Sequence, residues 1–210
     1  VKFLVDPTNV TNYNCSYEEL ELLILWWILA AGKNGVTSAR CLDSLLNKWR
    51  GNFNSPFEII KLIDKQFNLP IEMKNQGIGC YNNKAKSFRD LIGKKLDLKR
   101  CSLEELESVR GIGPKTARCF LLHSRKGQRY AGLDTHALSY MRDLGFNVPK
   151  STPVAKKYKE LEQTFLQLAD ISGISVADFD LMIWNVYSGR NKDKKSIDFL
   201  SSLKDRAKIL

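Results

Sequence analysis

The sequence predicts an all-α protein, and three observations carry that prediction. Helix-opening signals recur along the chain, in most cases a Ser, Thr or Asp followed within three residues by an acid or a proline. Strand-like alternation is almost absent, and only RYAGL (129–133) hints at extended chain. Connections are brief, with no low-complexity tract and no long linker. Short helices joined in this way make a compact helical assembly rather than a bundle of a few long rods.

The elements follow in order. Ser16-Tyr-Glu-Glu19 is a capping box that opens an apolar helix over about 17–31. Gly32-Lys-Asn-Gly35 stops it, and Thr37 can cap a second helix to about Arg50. Ser55-Pro56-Phe-Glu58 combines a cap, a first-turn proline and a capping acid, which predicts a helix to about Phe67. A polar loop with Gly77 and Gly79 then leads into a basic helix near 82–92. Ser102-Leu-Glu-Glu105 opens a short helix that Gly111 ends, and another runs from Pro114 to about Arg125. Asp134 can cap a helix to Leu144, and Thr152-Pro153 starts a longer one to about Ala169. The stretches 175–188 and 194–208 complete the set.

Composition bounds the function. Apolar residues at 43% and charged residues at 27% are ordinary for a soluble globular chain of 210 residues. The net charge of +10 is less ordinary and suits a polyanionic partner, nucleic acid or an acidic membrane surface. The most apolar run, LLILWWILAA (22–31), is about half the length that spans a bilayer, so it reads as a buried helix. The five cysteines, at 15, 41, 80, 101 and 119, are irregularly spaced and form no metal knuckle. They read as reduced packing residues of an intracellular protein, in the cytoplasm or nucleoid, or the nucleus of a eukaryote.

The segment LEELESV-RGIG-PKTARCFLLHS, about 103–125, reads as two helices joined by a tight G-I-G turn. Glycine suits a turn of positive φ or a close backbone approach. The first N–H groups of the second helix lack partners inside it, and with the helix dipole they make a site for one phosphate. Such a hairpin holds a nucleic-acid backbone without reading its sequence. Arg110, Gly111, Ile112, Gly113, Thr116 and Arg118 form the expected DNA-binding set, with Ile112 pointing inward to pin the turn. Between Ser108 and Leu133 there is no Asp or Glu, whereas solvated faces normally mix signs.

Asp134 stands nineteen residues after Lys115, within Leu133-Asp134-Thr135-His136. Here the chain resembles the helix-hairpin-helix DNA glycosylases, the superfamily of endonuclease III and the 8-oxoguanine glycosylases. The resemblance is carried by VRGIGPKTA (109–117), LDTH (133–136) and GCYNNKAKSF (79–88), in that family's arrangement, and spans roughly residues 17–190. The segment DFDLMIWNVYSGR (178–190) is similar to the close of the small prokaryotic 8-oxoguanine glycosylases. No cysteine follows Cys119, so the iron–sulfur cluster of the endonuclease III branch has no ligands there, and no metal or other cofactor is expected. About twenty residues, rich in lysine, follow the closing motif and depart from that branch, which leaves the base specificity open.

The resemblance implies two helical subdomains with a DNA-binding cleft between them. One would run over 17–133, and the other would combine 1–16 with 134–210. It implies Lys115 and Asp134 as the catalytic pair across that cleft. The residues allow this chemistry: a neutral lysine amine is a nucleophile, and a carboxylate can take its proton or stabilise charge on a deoxyribose. Asp134 could equally serve only as a helix cap, and Lys115 only as a phosphate contact. Lys84 is expected to contact DNA, and His136 to contact DNA or serve structure. The region of Gly32 and Lys33, together with Cys80, is where the family places its plug and wedge, and Phe179 is a candidate for stacking on an extruded base.

The leading expectation is a bifunctional glycosylase and AP lyase, acting as a monomer on duplex DNA that contains a damaged base, 8-oxoguanine first, with no membrane partner. A glycosylase for oxidised pyrimidines, alkylated or other modified bases is one alternative. A helix-hairpin-helix module that only binds DNA is another.

Overall fold

The computed structural model describes residues 3–189 and 193–208, so Arg190, the end of the closing motif, lies outside the described residues. Among the described residues there are eleven α-helices and no strand, and the chain is all-α. No helix among them is long and apolar enough to cross a membrane.

Packing divides the chain into two units, Val1–Phe120 and Leu121–Leu210. The sequence reading placed the division at 133/134 and sent residues 1–16 to the second unit. Phe3 is buried, and the Arg50 guanidinium lies over its ring, 5.4 Å from the centroid, so the N-terminal arm belongs with the first unit.

The first unit starts with α1 (Tyr17–Ala30), opened by the expected capping box at Ser16 and buried along most of its length. The second helix, α2 (Gly35–Trp49), begins two residues before Thr37, because Asn34 Oδ1 accepts from the N–H groups of both Val36 and Thr37. It is followed by α3 (Pro56–Gln66), capped by Ser55 as expected. A short helix, α4 (Leu69–Asn75), replaces the first part of the expected polar loop. Asn68 caps it, Pro70 fits its first turn, and Leu69 and Met73, one turn apart, are buried. Then come α5 (Tyr81–Lys94), α6 (Leu103–Glu107) and α7 (Pro114–Ser124), within which the division between units falls.

The second unit contains α8 (Thr135–Asp143), α9 (Ala155–Ser172), α10 (Val176–Tyr187) and α11 (Lys194–Ala207). Its core gathers Leu138, Tyr140, Phe165, Phe179, Ile183 and Leu203, among others. The RYAGL stretch is not a strand, and its polar backbone is satisfied by side chains of α9. Glu162 accepts from Ala131 N at 2.9 Å, while the Tyr158 hydroxyl donates to Ala131 O at 2.7 Å and accepts from Leu133 N at 3.2 Å. The lysine-rich terminal stretch forms α11, which buries Leu200 and Leu203.

Candidate nucleic-acid interface

The hairpin is built from local signals held by a few long-range contacts. Ser102 and Glu105 form a reciprocal capping box that starts α6. Val109 and Ile112 are buried and pin the turn from inside. Gly111 adopts φ +81°, and a Cβ there would collide with the Ser87 hydroxyl of α5, so two independent constraints demand glycine. The neighbouring Arg110 amide donates to Asp90 Oδ2 at 2.7 Å, which ties the turn to α5 a second time. Gly113 differs: its φ is not positive, and a Cβ there would meet nothing within 4 Å. Its missing side chain leaves the outer face of the turn clear.

That outer face carries donors. Gly111 and Gly113 are exposed, and their N–H groups donate to no acceptor among the described hydrogen bonds. Arg110 is exposed beside them. Exposed amides without a described acceptor just before α7, the helix dipole and the neighbouring Arg110 suit a phosphate oxygen. Lys115, the second residue of α7, is half-buried, and its Nζ lies 4.6 Å from the centroid of the Trp27 ring.

Several expected DNA contacts have other work. Arg118 is buried, and its Nη1 donates to Glu107 Oε1 at 2.6 Å and to Pro114 O at 3.3 Å. It clamps the two hairpin helices together instead of facing a duplex. The Thr116 side chain, also expected at the DNA, is buried within the hairpin. Lys84 is buried on α5 and donates to Leu29 O at 2.6 Å, at the end of α1. Burial pushes its ammonium below the usual lysine range, opposed in part by Cys80 and Cys41 and aided by Lys33. Each of these side chains is removed from a solvent-facing phosphate by packing, which local spacing does not reveal.

Gly32, Lys33 and Cys80, the candidates for plug and wedge, are all exposed. Of the three, Lys33 lines a cavity of about 240 Å³, together with Leu29, Cys41, Ile78, Gly79 and Lys84 among others. Cys80 takes a left-handed φ of 55° at the start of α5.

In the second unit Asp134 caps α8, its Oδ1 accepting from His136 N at 2.8 Å and Ala137 N at 2.9 Å. Its Oδ2 takes part in none of the described hydrogen bonds, so capping occupies one oxygen of the carboxylate and leaves the other available. His136 is half-buried with its ring edge toward Trp184, centroids 6.3 Å apart. Phe179 is fully buried between Phe165 and Tyr140, at 5.3 and 5.8 Å, so it fills the core and offers no face to an extruded base. Arg129 is engaged by both oxygens of Asp170 at 2.9 Å.

The sequence reading missed Asp90 of α5 and Trp27 of α1, which contact the hairpin at Arg110 and Lys115. It also missed the buried His123, whose Nε2 lies 3.2 Å from Asp180 Oδ2. Each joins residues 20 or more positions apart, and no periodicity links them.

Compared with known protein families, residues 94–123 match the helix-hairpin-helix motif. The match covers the end of α5, all of α6, the G-I-G turn and all of α7 but its last residue. No solved structure matches the chain. The chain therefore carries a helix-hairpin-helix, a motif suited to DNA binding.

Proposed function

We propose that this protein is a DNA glycosylase and AP lyase that uses Lys115 as its nucleophile to remove an oxidised base, 8-oxoguanine first, from duplex DNA. The observation that carries this reading is the place of Lys115. It stands in the first turn of α7, close in sequence to the exposed Gly111 and Gly113, whose amides donate to no described acceptor, and this supports a role next to a held strand.

The lone pair of the neutral amine forms an N–C1′ bond as the N-glycosidic bond breaks. Its electron pair leaves with the base, which takes a proton. The new secondary ammonium gives up a proton, the C1′–O4′ bond opens with protonation of O4′, and a protonated Schiff base results. Loss of a C2′ proton then expels the 3′ phosphate. In this reading the Asp134 carboxylate accepts the amine's proton or steadies positive charge on the sugar. The reaction runs inside the cell and in a single copy of the chain.

A second reading has a specific observation in its favour. The family match covers the hairpin and not the Asp134 motif, which is also what a DNA-binding module without catalysis would give. Borohydride trapping separates the two. On a panel of duplexes with single lesions, including 8-oxoguanine and an abasic site, the wild-type chain is expected to form a covalent adduct. Lys115→Gln is expected to bind the duplex and form none. Duplex binding with no adduct on any lesion would favour the binding module. An adduct only on another lesion would reassign the base and keep the mechanism.

A further inference from the structure

The lysine's surroundings contain a group that no part of the proposed chemistry uses. Trp27, on α1, is 8% exposed, and its ring lies under the Lys115 ammonium, with Nζ 4.6 Å from the centroid. This is within the range of about 6 Å in which an indole face attracts a cation. The ring is itself braced. Trp26 packs against it with centroids 4.4 Å apart and is held by its own Nε1–H, which donates to Gly35 O at 3.0 Å, at the start of α2. A fixed platform, made by α1 and α2, therefore sits under a side chain from α7.

We propose that Trp27 is a positioning residue for Lys115: its indole face seats the ammonium and releases the amine when the proton is lost. The proposal rests on Lys115 being the nucleophile, as argued above. Lysine has four rotatable side-chain bonds, and an unseated amine would be spread over many rotamers. The ring gathers them into one, at the mouth of the hairpin, which shortens the search for attack geometry. The attraction is electrostatic, between a charge and the ring quadrupole, so it weakens when the amine becomes neutral. The same proton loss that makes the lysine a nucleophile thus frees it from its seat.

The test uses the full chain on a duplex with one abasic site, which isolates attack by the amine from base recognition. Trp27→Leu keeps an apolar residue with no ring face, and Trp27→Phe keeps a weaker one. The single-turnover trapping rate is expected to fall about tenfold in Trp27→Leu. It should recover to within about threefold of wild type in Trp27→Phe, with duplex affinity unchanged in both. Wild-type trapping by Trp27→Leu would overturn the proposal, as would equal losses in the two variants, which would make Trp27 a packing residue only. Should the leucine variant not fold, the wild-type spectrum decides. The ¹³C-methylated Lys115 amine, assigned by its loss in Lys115→Gln, must show an upfield ring-current displacement. A signal at the position of ordinary exposed lysines would overturn the seat. Absence of any trapping by wild type on a duplex it binds is a different result, which removes the nucleophile reading and this inference with it.

Discussion

Lys84 shows how a basic residue of a basic protein can be withdrawn from any partner. Its ammonium reaches across from α5 to the carbonyl of Leu29, one of the last acceptors of α1, which that helix cannot satisfy internally. Ser38 Oγ donates to the same oxygen at 3.2 Å. Lys84→Met is expected to cost about 1–2 kcal/mol, because the strong charged donor is lost and the hydroxyl remains. Urea denaturation reads that loss. The pH dependence has a definite sign. Burial lowers the folded-state pKa below the unfolded one, so between that lowered value and about 10.4 the unfolded chain holds the extra proton. The penalty for burying the charge is present at neutral pH and fades as pH rises through this window. Wild type should therefore gain stability relative to Lys84→Met toward alkaline pH, and a parallel pair of curves would contradict the assignment. Phe179 makes a related point: its place in an aromatic-rich motif suggested a stacking platform, and only burial between Phe165 and Tyr140 shows it to be core.

At the scale of elements, the hairpin is a local design with one long clamp. The capping box at Ser102 and the left-handed turn at Gly111 were legible in the sequence, because their determinants lie within a few residues of each other. The Arg118–Glu107 clamp was not legible, since a basic residue facing outward and one facing a neighbouring helix look alike in a string of letters. The guanidinium side chain is 7% exposed and the carboxylate 33%. Glu107→Ala is expected to destabilise the protein by roughly 2–3 kcal/mol, because it removes the carboxylate from a buried cation. Glu107→Gln should lose less, and comparison of the two melting temperatures checks the charge's share. The start of α2 and the whole of α4 were misread for a common reason. Asn34 and Asn68 are both strong caps, and a glycine or proline within two residues of a cap suits a loop equally well.

For the whole molecule, the net charge of +10 suits a polyanionic partner, and the proposed duplex binding carries a definite salt dependence. Binding should weaken steeply between low and moderate salt, as counterion release from phosphate contacts demands. Arg110→Ala should lower the slope of log affinity against log salt by about 1 and weaken all duplex sequences alike. Lys84→Met should leave that slope unchanged. A flat response for Arg110→Ala would move the phosphate contact off the hairpin. The sequence by itself determined the all-α class, most helix starts and the hairpin turn, because caps, glycines and helical periodicity act over three or four residues. Only the tertiary structure decided that the packing units divide at Phe120 and Leu121, and that Trp27 lies under Lys115. It also decided that Lys84 and Arg118 face inward. Those outcomes depend on which distant surfaces exclude water from each other, and burial of that kind leaves no local mark on the chain.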